Sequence, residues 1–104
     1  FADFQKLDLR IGRVVECEQH PNADKLLRVL VDIGEDKPRQ ILAGMAEFFE
    51  PGELVGRQVT VIANLAARKM RGLESQGMIL AVKAGGGLEL LSVEAVVPPG
   101  SKVS

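Results

Sequence analysis

The sequence predicts an all-β domain with one short helix, and three observations predict it. Apolar and polar residues alternate with period two in several short segments. Clusters of Gly, Pro, Asn and Asp separate those segments. One stretch, after the third segment, changes to helical spacing. At 104 residues the chain makes a single domain, 1–104, around one modest core.

The first strand is read over Leu7–Cys17. Leu7, Leu9, Ile11, Val15 and Cys17 share one parity and are expected to face the core, with Arg13 the exception. Gly12 in its interior predicts a bulge or sharp bend, as a small barrel requires. His20-Pro21-Asn22-Ala23-Asp24 is turn chemistry. The second strand runs over Leu26–Ile33, with Leu27, Val29, Val31 and Ile33 in phase. After Gly34–Pro38, Arg39–Gly44 is a third, shorter strand. Met45, Phe48 and Phe49 have helical spacing, and Pro51-Gly52 interrupts them, so a short helix or two turns are expected over Met45–Val55. Gln58–Asn64 is the fourth strand, with Val59, Val61 and Ala63 in phase, and Met78–Lys83 is the fifth. The Ala84–Gly87 turn leads to an extended Leu88–Val93, and Pro98-Pro99-Gly100 excludes regular structure there. Three strands, a helical connector and two more strands are the order of an OB-fold, a five-stranded Greek-key barrel. The barrel is expected over about 5–84, with a C-terminal extension over about 85–104.

Composition narrows the function. Hydrophobic and charged content are those of an ordinary globular protein. No apolar run approaches the roughly 20 residues that span a bilayer, and no basic-then-apolar leader is visible, so no membrane partner is expected. A single cysteine, Cys17, cannot form an internal disulfide and fits a reducing, cytoplasmic setting. Its parity places it as a small buried hydrophobe rather than a reactive thiol. The opening residue, Phe1, suggests a domain trimmed from a longer protein. A near-zero net charge argues against a coat protein that wraps nucleic acid along its whole surface.

The densest signal lies in Asn64–Met78. Arg68, Lys69 and Arg71 oppose only Glu74, a net of +2 in a chain of net −1, so the remainder sums to −3. A cationic loop on a mildly acidic body points to an anion site such as a phosphate backbone, which guanidinium groups bind by forked hydrogen bonds. The alternative is a solvated basic loop with no ligand. Asn64 and Ser75, which bracket the cations, have an equally local reading as partners of backbone groups. Met70 either packs on a base or ribose or anchors the loop to the core. The four aromatics are Phe1, Phe4, Phe48 and Phe49, so the strands after the first lack the stacking platform of single-strand binders. A nucleic-acid partner would be read by backbone shape and an exposed base.

Catalytic and metal chemistry find little support. One His and one Cys fall short of a zinc site. A Ser75–His20–Asp24 hydrolase lacks the glycines of a nucleophile elbow. There is no Walker loop or dinucleotide fingerprint. No cofactor, metal or catalytic residue is expected.

Three runs carry a resemblance. Asp8-Leu9-Arg10-Ile11-Gly12-Arg13-Val14, His20-Pro21-Asn22-Ala23-Asp24-Lys25-Leu26, and Asn64-Leu65 through Arg68-Lys69-Met70-Arg71-Gly72 with Glu74-Ser75-Gln76-Gly77-Met78 resemble the tRNA-binding domain family. That family includes the C-terminal appendage of methionyl-tRNA synthetases and free-standing structure-specific tRNA-binding proteins. The resemblance implies an OB-fold that binds the tRNA body by shape, without catalysis, beside or in trans to an aminoacyl-tRNA synthetase catalytic domain. It implies tRNA contacts at Asn64, Lys69, Arg71, Ser75, Gln76 and Met78, with Lys25 and Arg28 as neighbours; the charge of the loop itself adds Arg68 as a further phosphate contact. It also implies a homodimer built by terminal segments, here Phe1, Phe4, Leu90, Leu91, Val93, Val96 and Val97. Ala66-Ala67 departs from the Lys-Pro pair of many members. A secretion-associated chaperone family shares the fold and the first motif but usually lacks the Lys-Met-Arg-Gly and Ser-Gln-Gly-Met runs. It supplies the alternative, a peptide- or protein-binding module.

Overall fold

The structure is a computed structural model that describes all 104 residues. A one-turn helix, α1 (Ala2–Gln5), leads into the long strand β1 (Leu9–Gln19). β2 (Leu27–Asp32) and β3 (Arg39–Ala43) continue an antiparallel meander. The helix α2 (Pro51–Leu54) then carries the chain to β4 (Gln58–Ile62), which pairs with the first half of β1. β5 (Arg68–Met70) and β6 (Leu73–Ser75) form a separate hairpin, and β7 (Met78–Ile79) returns to pair with β4. β8 (Ala81–Ala84) and β9 (Gly87–Leu90) make a second hairpin, and β10 (Ser101–Lys102) pairs with β1.

The barrel order is β3-β2-β1-β4-β7, all antiparallel. It nearly closes. Between β3 and the segment entering β7, the Gln76 N–H donates to the Gln40 carbonyl at 2.8 Å, and the Ser75 hydroxyl accepts the Leu42 N–H at 3.0 Å. This is the OB-like barrel that the element order predicts.

Leu27, Val29, Val31 and Ile33 are fully buried in one phase, as their alternation predicts, and Val59, Val61 and Ala63 meet them across the core. Burying each such side chain contributes roughly 1.5–3 kcal/mol. In the first half of β1 the barrel interior lies on the parity opposite to the predicted one. A Cβ on Gly12 would lie 2.5 Å from Val31 Cγ1 and 2.9 Å from Ile33 Cγ2, so Gly12 faces the barrel interior, and Val14 follows it into the core. Leu9 and Ile11 are buried on the other face, and Val15 is exposed. The register shifts between Val14 and Glu16, a bulge at Val15 that returns Cys17 to the inner side. Gly12 thus permits close approach, and the bulge sits three residues later.

The Met45–Val55 connector holds a short helix and a turn, as expected, but with Pro51 in a different role, and the fifth strand departs from its prediction. Pro51 begins the helix rather than interrupting it: Glu53 reaches back to accept the Glu50 N–H at 2.8 Å, and proline suits the first helical turn. Met45–Phe49 is a hydrogen-bonded turn. The predicted fifth strand divides at Leu80, where the chain exchanges β4 for the β8–β9 hairpin. Part of the predicted extension completes the monomer, because Leu88 and Leu90 pack on the core and β10 joins β1.

Candidate functional site

The segment between β4 and β7 leaves the barrel and comes back to it, and one side chain ties its two ends. Arg39 Nη1 donates to the Ala63 carbonyl and, at 3.0 Å, to the Gln76 carbonyl. Glu35 holds that guanidinium through two bonds of 2.9 and 2.8 Å. The Arg39 bond keeps the Glu35 carboxyl below the usual carboxylate range, and Arg10 does the same for Asp8. Gln40 adds a second tie. Its side chain donates to the Glu74 carbonyl at 2.7 Å and accepts from Arg28 at 2.6 Å, while its N–H donates to Gln76 Oε1 at 3.1 Å. Neither Arg39 nor Gln40 stands out in the sequence; each is an ordinary polar position at the start of a strand.

Within that loop, Arg68–Met70 and Leu73–Ser75 pair with Met70 opposite Leu73, leaving Arg71-Gly72 as a two-residue turn. Both turn residues have positive φ, 54° and 93°, the pattern of a type I′ hairpin. Arg71 is the only non-glycine residue of the chain in that region. The His-Pro-Asn motif holds the hairpin in place. His20 is buried, and its Nδ1 accepts the Asn22 N–H at 2.9 Å. The other ring nitrogen therefore carries the proton, and Nε2–H donates to the Met70 carbonyl at 3.1 Å. Arg71 Nε donates to the Asn22 carbonyl at 3.2 Å. The turn between β1 and β2 is thus a bracket for the cationic hairpin.

Arg68, Lys69 and Arg71 are exposed and form none of the chain's five ion pairs. They do not share one face. Arg68 and Met70 lie on the same side of β5, with Ser75 and Leu73 as their cross-strand partners. Lys69 lies on the other side, directly opposite Glu74. Beside Arg68 runs a cleft of about 270 Å³ whose walls include Leu42, Leu65, Ala66, Met70 and Met78.

The remaining predicted residues divide. Met78 is half exposed at the cleft. Gln76 is exposed, with its Oε1 engaged and its amide nitrogen unbonded. Asn64 is exposed but bridges to the N-terminal segment, accepting from the Asp8 N–H at 2.9 Å and donating to the Lys6 carbonyl at 2.6 Å. Ser75 is buried, and its hydroxyl accepts from Leu42 and donates to Gly77. Both side chains bond backbone groups, but only the Ser75–Gly77 bond is local; the others reach distant segments. Arg28 joins Glu18 to Gln40, and Lys25 pairs loosely with Glu47 at 3.8 Å. Of the terminal apolar residues, Phe1, Phe4, Leu91, Val93 and Val96 are exposed, Val97 is half-buried and Leu90 lies against the core. Phe1 and Phe4 flank the chain's C-terminal end, whereas Val93–Val97 is pinned to Gln58.

No hydrolytic triad assembles, because the bonds of His20 and Ser75 go to backbone groups. No group of three His, Cys, Asp or Glu side chains is placed to hold a metal. Burial pushes the Cys17 thiol up, away from reactivity. No helix is long and apolar enough to cross a membrane.

Comparison with known proteins gives a consistent result. The family described as "Putative tRNA binding domain" matches residues 9–102. The methionine–tRNA ligase of Thermotoga maritima is 54% identical over 102 residues, which is 98% of this chain and 16% of that protein. The chain thus spans about a sixth of the length of that relative. Among solved structures, the MetRS-related protein from Pyrococcus horikoshii aligns with a TM-score of 0.89 at 33% identity, over 99% of this chain and 94% of that one. The chaperone CsaA from Bacillus anthracis aligns at 0.87 and 32%, over 100% of this chain and 96% of that one.

Proposed function

The chain belongs to the tRNA-binding domain family, and from that membership we propose that it binds folded tRNA without catalysis, serving a methionyl-tRNA synthetase as an appendage or in trans. The observation that carries this reading is the β5–β6 hairpin, where three cations without ion-pair partners stand on a turn bracketed by His20 and Asn22. Arg68 and Arg71 make the principal phosphate contacts. Lys69, opposed by Glu74, adds a weaker one. Gln76 and Met78 border the same surface, and Asn64, Ser75 and Arg28 act by holding the loop. Lys25, at the neighbouring turn, extends the cationic surface. Tethering tRNA lowers its apparent Michaelis constant at the catalytic domain and leaves the chemical step alone.

The exposed apolar residues near the termini support a homodimer, which would present two hairpins and raise avidity. Service to translation places the protein in the cytoplasm. The likeness to CsaA keeps a peptide-binding module as the second reading.

Fluorescence anisotropy separates the two. Salt-sensitive binding to folded tRNA, with little binding to a single-stranded oligonucleotide of equal length, is the expected result. Binding to unfolded polypeptide that tRNA leaves unchanged would put the peptide reading first.

A further inference from the structure

The cleft beside Arg68 is not explained by phosphate contacts. Leu65 and Met78 remain 40% and 49% exposed there, and Leu42 is also part of its lining. Folding has left an apolar surface next to a cation with no ion-pair partner. Its volume of about 270 Å³ is just below the roughly 300–1,000 Å³ of drug-sized ligand sites. That admits a planar ring system of nucleobase size.

We propose that this cleft takes a single unstacked nucleobase of the bound RNA, held by its faces between Met70 and Met78, with Arg68 at the rim. The inference rests on the tRNA reading above. Three observations support it. Arg68 and Met70 share one side of β5, so the residue that would meet a phosphate or stack on a base adjoins the residue that would line the base's site. Methionine is a polarisable partner for aromatic rings, and none of the four phenylalanines lines the cleft. The hydroxyl of Ser75, the other polar side chain there, is already bonded to Leu42 and Gly77. With little hydrogen-bonding capacity aimed at a base edge, the cleft takes any of the four bases, which suits recognition by shape.

A second cleft, of about 330 Å³, shares Leu42, Met70 and Met78 but has no charged residue in its lining. The cleft at Phe1 and Phe4 adjoins Lys102 and belongs to the terminal surface assigned above to the dimer.

The chain's three methionines, Met45, Met70 and Met78, make the test direct. Methyl-labelled methionine gives one resonance from each. Adding any of the four nucleoside 5′-monophosphates, or tRNA, should shift the Met70 and Met78 methyls upfield by ring current. Met45, buried on the wall of the adjoining cleft, should shift less than either, and ribose 5-phosphate should shift none of them. In a second experiment, Ala66→Leu partly fills the cleft. It should weaken tRNA binding roughly tenfold without changing the salt slope. If tRNA binds while the methyls stay still, or ribose 5-phosphate moves them equally, the base site is wrong and the tRNA reading survives. Methyl shifts with mononucleotides but no binding of tRNA would keep the base site as a nucleotide site and remove the tRNA reading. Neither response would overturn both.

Discussion

Arg71 occupies the first turn position of the β5–β6 hairpin at a φ of 54°, where Asn, Asp or Gly is the ordinary choice. A β-carbon in this region costs roughly 1–2 kcal/mol, and the exposed bond to Asn22 returns only part of that. Strain of this kind, kept at the tip of a cationic hairpin, fits a side chain selected for its ligand. Arg71→Gly should therefore stabilise the fold by about 0.5–1 kcal/mol and weaken tRNA binding. Thermal melting and a tRNA titration of the same sample measure both; a variant that melts lower, or binds as well, would contradict this. The cations themselves are plain in the sequence. Their division between two faces is not, because it depends on the turn lying at Arg71-Gly72, which places Lys69 against Glu74 and Arg68 against Ser75.

At the scale of elements, alternation located β2, β3 and β4 and put Val29, Val31, Val59 and Val61 in the core. For the first half of β1 it points to the wrong face, for a physical reason. The first half of that strand is buried on both sides, so Leu9 and Ile11 on one face and Val14 on the other are all apolar. Only Gly12, which must let Val31 and Ile33 approach, marks the interior. The apolar run over Met78–Lys83 likewise conceals an exchange of partners, since pattern records burial and not which strand is paired. The ties that hold the candidate site were hidden for a related reason. Arg39 joins groups 24 and 37 residues distant in sequence, and Gln40 reaches Glu74 and Gln76, which no local pattern reports. Arg39→Met should untie the loop while the backbone pairing of β3 with β2 persists. Amide hydrogen exchange should speed up across residues 64–76 while β2 stays protected. Equal loss of protection in β2 would mean that Arg39 supports the whole fold.

The whole molecule is a nearly closed barrel of slightly negative charge that sets three cations without ion-pair partners close together on one bracketed hairpin. Such a body gives RNA little net attraction as a whole, so orientation and affinity are expected from the few contacts of that cluster. The Arg68→Ala/Arg71→Ala double variant tests this most directly, through tRNA affinity measured across a range of salt concentrations. Each phosphate contact contributes about 0.9 to the logarithmic salt slope on duplex nucleic acid. The expected wild-type slope is a few units, falling by roughly two in the variant, with the fold intact. An unchanged slope and affinity in a folded variant would mean that tRNA binds elsewhere on the molecule.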